Sequence, residues 1–503
     1  MGSSTASLRD YVLLYVNSKR HEVRGESVFQ SLSDFLRREL GVMGTKIVCE
    51  EGDCGACAVL VGKADAQQAG QLAYAAADSC ILFLWQLDCR HVVTVEGLAA
   101  NGYLHPVQQA MVDCHGSQCG FCTPGFVMQL TDLLAGRKEA VSTDDVRLAL
   151  SGSLCRCTGY EPIVRAACSL EHGVADVNDL YPPQPILNDF AQHATVAVDI
   201  SAAPALPLSS KDPARPRRFV APTTMADAVR FKAGNPQTTV ISGGTELGVR
   251  INKHQVDPAL VMTLTSLPAE LEQVTVADGV IRIGGRASWT SVELACDEHL
   301  PEFAKIIRLF GGPAIRNVAT MAGNIANGSP IADGLPVMMV MEGSLKLVGT
   351  NGTRDVPING FYRGYKKMDL RPDELISAIH LPLPEPDDLL KLYKVSKRRD
   401  LDISTFAAGI WMRLDGERIA ACRIAYGGVA PTIVRLPKTE AFLVGQPFEE
   451  ATFRAAGRIS RTEIAPISDV RGSRDYRWQL CENVLVKFYF EACETASVEP
   501  SVL

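Results

Sequence analysis

The sequence predicts a multidomain α+β chain, and three observations carry that reading. At 503 residues it is several times the usual domain size. Strand-like and helix-like hydrophobic periods alternate along it, separated by glycine- and proline-rich breaks. Ten of its fifteen cysteines fall between Cys49 and Cys157, so the first third differs in chemistry from the rest.

Tyr11–Val16 reads as a first strand, with a turn at Asn17–Arg20 and a partner strand from His21. Leu32, Phe35, Leu36 and Leu40 recur at helical spacing. After a loop rich in glycine and cysteine, Ala58–Gly62 reads as a strand. The apolar run Ala75–Leu87 is expected to be a helix, and Val92–Val95 a closing strand. These elements predict a small α+β domain over residues 9–96. Residues 97–170 are expected to be all-helical, with helices at Pro106–Val112, Gly125–Leu134 and Thr143–Leu150, the last capped by Ser142 or Thr143. Over 171–212, proline, alanine and serine recur without period (YPPQP, SAAPALPLSS), which predicts a mostly extended linker. Short glycine-punctuated strands alternate with helices over 213–385, an α/β domain. The segment 386–503 carries the strand-like runs GIWMRL and RIAACRIAYGG and a final helix, Tyr476–Phe490, predicting an α+β domain.

Composition excludes several classes of function. Hydrophobic residues make up 47% and charged residues 21%, the balance of globular domains with large cores. The net charge of −7 leaves no basic excess for phosphates, which argues against nucleic acid as a partner. No apolar run approaches the roughly 20 residues of a membrane span, and the N-terminus lacks the pattern of a secretory signal. A cytoplasmic protein is expected. Disulfides are disfavoured there, so clustered cysteines point to metal or redox work. Cys296, Cys422, Cys481 and Cys493 are scattered and read as small buried hydrophobes.

Cys49, Cys54 and Cys57, followed by Cys80, give C-x4-C-x2-C and a distant fourth cysteine, the ligand spacing of a plant-type [2Fe–2S] cluster. Three thiolates from one loop require a tight backbone turn, which Gly52 and Gly55 permit. A zinc site is the alternative, but zinc knuckles favour paired C-x2-C turns. Cys89 competes with Cys80 as fourth ligand. Cys80 is preferred because it is expected at the start of the apolar helix, where the dipole favours an anionic group. A second set follows: Cys119 and Cys122 in CGFCTPG, then Cys155 and Cys157 in CRCTGY, with 32 residues between Cys122 and Cys155. Four thiolates from two helix-edge turns can hold one further [2Fe–2S] cluster. Zinc or a redox dithiol would fit C-x2-C alone, whereas the tight C-x-C partner argues against both.

Two further stretches suit a dinucleotide. Thr239–Ile241 reads as a strand running into Gly243-Gly244, a turn whose N–H groups can converge on a pyrophosphate. It is not G-x-G-x-x-G, which excludes a Rossmann fingerprint. Arg316–Asp333 is rich in small and amide residues and low in charge, and is expected to be a loop that backbone and ligand share closely.

CGFCTPG with CRCTGY, placed after a ferredoxin-type cysteine loop, resembles the signature of the molybdenum hydroxylases, which include xanthine dehydrogenase, aldehyde oxidase and carbon monoxide dehydrogenase. The resemblance extends over nearly the whole chain. It implies a β-grasp ferredoxin-like [2Fe–2S] domain, a four-helix [2Fe–2S] domain, an FAD-binding domain of the vanillyl-alcohol-oxidase type and an α+β C-terminal domain. It assigns Gln118 to a position that hydrogen-bonds the pterin. Val240, Ile241, Ser242, Gly243, Gly244, Thr245, Glu246 and Leu247 match its flavin pyrophosphate loop. Phe310, Thr320, Gly323, Asn324, Asp333, Ile376 and Lys394 match further FAD contacts. Tyr365 and Asp402 match positions near NAD+, although a core tyrosine is nearly as good a reading of Tyr365. Leu401 stands where vertebrate relatives carry an acid. The Asp469–Arg477 stretch resembles part of the family's closing domain.

The implied activity is that of the iron–sulfur/FAD subunit of an NAD+-dependent xanthine dehydrogenase, class EC 1.17.1.4, in purine breakdown. No catalytic residue for substrate hydroxylation is expected on this chain. A large molybdopterin-binding partner is implied, in a heterotetramer of two small and two large chains. The alternatives are the small subunit of an aldehyde or N-heterocycle hydroxylase, or a stand-alone iron–sulfur flavoprotein reductase.

Overall fold

The computed structural model describes residues 8–99, 102–203 and 216–496. The chain divides into two compact units, one running to Ala269 and including Gly311–Ala319, the other made of Glu270–Phe310 and the residues from Thr320 on.

In the first unit, β1 (Val12–Val16), β2 (Lys19–Val23), β3 (Ala58–Ala64), β4 (Leu72–Asp78) and β5 (Arg90–Val93) form a sheet in the order β2-β1-β5-β3-β4. β1 runs antiparallel to β2 and parallel to β5, with the short helical segment Leu32–Glu39 beside them. This is the β-grasp arrangement. Val12, Leu14 and Val16 bury on one face with Phe35 and Trp85, while Leu13 buries on the other with Ile186 and Phe190. Both faces are covered, so the first strand reads as a continuous apolar run rather than an alternation.

The expected helix Ala75–Leu87 is not formed. Its alanines lie in β4, held by β3 in a register that pairs Ala58 with Asp78, and a turn with a single short helical turn, Leu84–Gln86, follows. Alanine is the best helix former, but propensity is a weak prior and strand pairing overrides it here. Cys80 therefore sits in a turn and not at a helix start. The second domain has its four helices, Pro106–Asp113, Thr123–Leu134, Thr143–Ala149 and Glu161–Cys168. Three of them open on a proline in the first turn, where its missing N–H costs nothing. Ser142 caps the third by accepting from the Asp145 N–H.

The linker is also corrected. Within 171–203 the chain forms helices Val177–Leu180 and Pro183–His193 and the strand β6 (Val198–Ala202). Pro183 stands at a helix start, and Ile186 and Phe190, one turn apart, bury against Leu13 and Tyr15. Residues 204–212 lie outside the described residues. β6 joins β7 (Arg217–Ala221), β8 (Thr239–Ile241) and β9 (Leu260–Thr263) in the order β6-β7-β9-β8. Phe219, Ile241 and Val261 share one buried cluster with Leu14, Phe35 and Trp85, so this sheet and the first are built on a common core.

His91, on β5, is fully buried. Its Nε2 lies 2.6 Å from the Asn17 carbonyl and its Nδ1 2.6 Å from the Tyr74 hydroxyl. The carbonyl can only accept, so Nε2 carries the proton and Nδ1 accepts from Tyr74. Burial lowers the imidazole to about 4, because the charged form cannot be solvated. The unfolded chain takes up this proton near pH 6.5 while the folded one does not. Stability should therefore fall by about 3 kcal/mol as pH drops from about 6.5 to about 4. His91→Gln should flatten that part of the pH profile in urea unfolding; an unchanged slope would rule out His91 as its source.

The second unit is largely antiparallel. β10 (Val274–Ala277), β11 (Val280–Gly284), β12 (Ser344–Gly349), β13 (Gly352–Pro357), the hairpin β14 (Tyr362–Gly364) and β15 (Lys367–Met368), and β16 (Leu375–Pro382) come first. Five of these make a sheet in the order β10-β11-β16-β12-β13. β17 (Leu389–Val395), β18 (Phe406–Asp415), β19 (Arg418–Gly427) and β20 (Val434–Arg435) form a second sheet in sequence order. Helices Glu450–Ser460 and Arg474–Ala496 cover it, with Phe453, Leu485 and Phe488 buried against Phe406, Ile410 and Tyr426. Arg477, itself buried, donates to the Thr405 carbonyl and to both carboxylate oxygens of Asp469, which ties together the two ends of the Asp469–Arg477 stretch.

Candidate functional site

Two cysteine centres lie in the first unit. Cys49, Cys54, Cys57 and Cys80, far apart in sequence, come together: Cys49 hydrogen-bonds Cys54 and Cys80, and Cys80 also meets Cys57. Those contacts hold the Cys49 thiol far below its ordinary range and push Cys54 and Cys80 up. Backbone N–H groups of Glu51 and Asp53 point at Cys49 and that of Ala56 at Cys54. Gly55 has a positive φ of 68°, and a Cβ there would lie 2.6 Å from the Gly152 carbonyl and 2.8 Å from Gln129 Nε2. The amide of Gln129 and the hydroxyl of Ser153 are buried beside it without a partner among the described residues. Crowded soft sulfurs, ringed by donors and with one readily ionised, fit an anionic sulfide cluster. Cys89 is buried elsewhere, beside Leu13 and Phe190.

The second centre is more open. Cys119 and Cys157 are exposed and hydrogen-bond each other, and Cys122 meets Cys155. Burial pushes Cys122 up to about 12. Burial acts in the same direction on Cys155, but the hydroxyl and N–H of Thr158 outweigh it and lower that thiol. Among the described residues no three Cys, His, Asp or Glu side chains are arranged to hold a single metal ion; the sulfurs instead meet two by two. Gln118 is exposed next to Cys119. Exposed apolar side chains, Phe121, Leu154 and Tyr160, belong to the same turns.

The two centres are joined through the backbone. The Leu154 N–H donates to the Cys54 carbonyl at 3.0 Å, one residue before Cys155. Gly125, three residues past Cys122, packs so closely on Gly55 that a Cβ would overlap the Gly55 carbonyl oxygen. Neither contact was signalled in the sequence.

β8 leads into Gly243-Gly244 and then the helix Thr245–Asn252. Gly244 has φ 66°, and the buried Gln86 amide donates to the Gly243 carbonyl at 3.0 Å. This gives the turn the left-handed residue and close packing that a pyrophosphate cradle needs.

In the second unit, the stretch expected as a loop contains a helix, Met321–Asn327, before it returns to a loop. Thr320 caps the helix Met321–Asn327 by accepting from the Gly323 N–H at 3.1 Å. Small residues kept it from looking helical, but the Thr-x-x-Gly start supplies the cap. The Asn324 side-chain oxygen is buried without a partner among the described residues, as a ligand-facing amide would be. Asp333 and Lys394, 61 residues apart, form a buried ion pair at 2.8 Å, with Ser404 bonded to both. Phe310 stacks edge-on against Trp289 at 4.8 Å, and Ile376 is buried on β16. Tyr365 lies between β14 and β15 and is 59% exposed, so the core reading of it is excluded. Asp402 accepts from the backbone and side chain of Arg398. Partial burial raises its carboxyl, but those donors outweigh burial and hold it below the usual range.

A β-grasp fold with four converging cysteines, a four-helix fold with paired cysteine turns, and a glycine-turn flavin fold define an iron–sulfur flavoprotein. Residues 14–94 match the 2Fe-2S iron–sulfur cluster binding domain, and 94–168 the [2Fe-2S] binding domain. Residues 215–384 match the FAD binding domain in molybdopterin dehydrogenase, and 391–492 the CO dehydrogenase flavoprotein C-terminal domain. The chain carries two [2Fe–2S]-binding domains and an FAD-binding domain, consistent with the iron–sulfur/FAD part of the molybdenum hydroxylase family. It is 29% identical to xanthine dehydrogenase 1 of Arabidopsis thaliana, over 95% of this chain and 39% of that protein. It is 31% identical to the xanthine dehydrogenase of Drosophila pseudoobscura pseudoobscura, again over 95% and 39%. The chain thus spans about two fifths of the length of these curated relatives. A carbon monoxide dehydrogenase from Hydrogenophaga pseudoflava aligns with a TM-score of 0.51 and 25% identity, over 54% of this chain and 94% of that one. Quinoline 2-oxidoreductase from Pseudomonas putida 86 shares the fold, with a TM-score of 0.51 and 23% identity over 55% of this chain and 96% of that one.

Proposed function

We propose that the chain is the electron-transfer subunit of a cytoplasmic xanthine dehydrogenase, working with a large molybdopterin-binding partner in a heterotetramer. When bound, the cofactors would carry electrons from hypoxanthine or xanthine oxidation at the partner, through the Cys119/Cys122/Cys155/Cys157 cluster and the Cys49/Cys54/Cys57/Cys80 cluster, to FAD and NAD+. The chemistry of these steps belongs to the cofactors; the protein holds them and tunes their surroundings.

The observation that carries this reading is the joined pair of cysteine centres, one exposed and one buried. The exposed centre, with Phe121, Leu154 and Tyr160 on its turns, suits a docked partner that would cover apolar surface. The Leu154–Cys54 hydrogen bond gives an inward path of a single backbone contact. The glycine turn would hold the FAD pyrophosphate through residues 240–247. Thr320, Gly323, Asn324, Asp333 and Lys394, with Phe310 and Ile376, would make its other contacts, the Lys394 ion pair fixing Asp333 in place. Gln118 would face the pterin. Among the described residues no helix is long and apolar enough to cross a membrane.

Iron, flavin and molybdenum analysis of the native complex tests this, with purine-dependent NAD+ reduction assayed alongside. Two clusters call for about four iron atoms per chain, with about one FAD. Stoichiometric zinc, half the iron, or no reaction with purines would each overturn it at the matching level. Tyr365, being exposed, should act on the acceptor side alone. Tyr365→Ala is expected to raise KM for NAD+ several-fold, by roughly the 1 kcal/mol of one lost aromatic contact, with stability and FAD content unchanged. Unaltered NAD+ kinetics in the fully flavinated variant would remove Tyr365 from the acceptor site.

A further inference from the structure

The helix Thr245–Asn252 begins at the glycine turn and is fixed to the first cysteine centre along its length. At its start, Gly244 packs against Gln86. At mid-length, a Cβ on Gly248 would overlap the Ile81 carbonyl oxygen, and Val249 packs on the buried cluster of Cys57, Cys80 and Ile81. At its end, the Asn252 amide donates to two carbonyls at once, Cys80 at 2.8 Å and Glu50 at 2.9 Å. The next residue, Lys253, donates from Nζ to the Cys49 carbonyl at 3.0 Å and pairs with Glu51 at 3.3 Å. Two adjacent side chains therefore grip both pieces of chain that carry this centre, the Cys49 loop and the Cys80 turn, which lie 31 positions apart.

We propose that Asn252 and Lys253 are positioning residues for the first [2Fe–2S] cluster: Asn252 locks the Cys80 turn to the Cys49 loop, and the Lys253 ammonium raises the cluster's reduction potential. The inference rests on the reading that Cys49, Cys54, Cys57 and Cys80 ligate that cluster. A cluster gains a negative charge on reduction, and a cation held at a ligand's carbonyl stabilises the reduced form more than the oxidised one. Glu51 offsets part of this, and Lys253 is 40% exposed, so solvent weakens it further. The consequence is functional. The residues that close the helix leading from the flavin turn also set the driving force for electrons arriving at that end of the chain.

An EPR-monitored redox titration of the full, cofactor-loaded complex tests both roles. In Lys253→Met the equilibrium constant for reducing the first cluster should fall about threefold. At 59 mV per tenfold for one electron, that is a shift of about 28 mV to lower potential. Lys253→Arg should restore the wild-type value, the second cluster should not move, and the shift should shrink at high salt. Asn252→Ala should alter the EPR line shape of the first cluster with the FAD content unchanged. If Lys253→Met loses the first cluster and Lys253→Arg keeps it, the role of the charge stands; loss in both overturns it. A wild-type protein with both clusters in which Lys253→Met leaves the potential unmoved overturns this inference alone. A wild-type protein without the first cluster overturns the ligand reading, and the inference with it.

Discussion

Replacing Cys157 by serine is expected to stop substrate electrons from reaching the flavin while leaving the flavin reducible by NADH. Cys157 is exposed and sits against Cys119, at the outer edge of the second centre. A serine hydroxyl is a harder and far less acidic ligand than a thiol and is a poor substitute on iron. Iron should fall from about four atoms per chain to about two. Losing a supporting contact to a metal ligand typically costs roughly tenfold to hundredfold. Losing the ligand itself should exceed that, so substrate-driven flavin reduction should drop by more than about a hundredfold. On the proposed route electrons would pass from the second centre to the first beside the Leu154 N–H and Cys54 carbonyl contact, so emptying the second centre should interrupt it. NADH would meet the flavin directly, and its reduction rate should stay within about twofold of wild type, since no contact of the flavin segments changes. Rapid mixing with purine, then separately with NADH, distinguishes the two half-reactions. Purine-driven flavin reduction at the wild-type rate would take the second centre off the route to the flavin.

The cysteine centres were legible because ligand spacing within a loop is a local property: C-x4-C-x2-C and the C-x2-C and C-x-C turns each report one backbone conformation. Cys80 was identified for a reason the fold does not bear out. The sequence places it at a helix start, whereas the structure places it in a turn after β4, held by partners at Asn252 and the Cys49 loop. The alanines of β4 looked helical because what makes them a strand is β3, a partner that periodicity cannot see. The linker failed in the same way. Ile186 and Phe190 are a plain helical pair, but prolines around them masked the period, and their burial depends on Leu13 and Tyr15 from the first strand. Asp333 and Lys394 are each expected as FAD contacts, but their ion pair has no local signal, because 60 intervening residues separate them in sequence. Asn252, Lys253, Gln86 and Leu154 carry no local signature at all. Their roles come from carbonyl groups of distant residues, and a carbonyl is the same in every sequence.

Gly125→Ala is expected to destabilise the chain by about 3 kcal/mol, the top of the usual overpacking range, and to deplete both clusters. Gly125 lies within the helix Thr123–Leu134, and alanine in a helix interior should instead gain about 1 kcal/mol over glycine. The two effects have opposite signs, so the experiment decides which rules. The added methyl would overlap the Gly55 carbonyl oxygen and approach Gly55 carbon at 2.9 Å and Ala56 Cα at 3.0 Å. All three are backbone atoms, so no side chain can swing aside; either the helix or the cysteine loop must move. Gly55 cannot retreat, since it is itself pressed against the Gly152 carbonyl. Its neighbours Cys54 and Cys57 sit on one side of this contact and Cys122 on the other, so a shift disturbs both centres. Gly234→Ala is the control. It ends the helix Met225–Gly234 with open space where a Cβ would go, and it should be neutral or gain up to about 1 kcal/mol. Urea unfolding gives the stability change, and visible circular dichroism with iron analysis follows the clusters. A Gly125→Ala protein as stable as wild type, with both clusters intact, would show that the two cysteine centres are not held together at this contact.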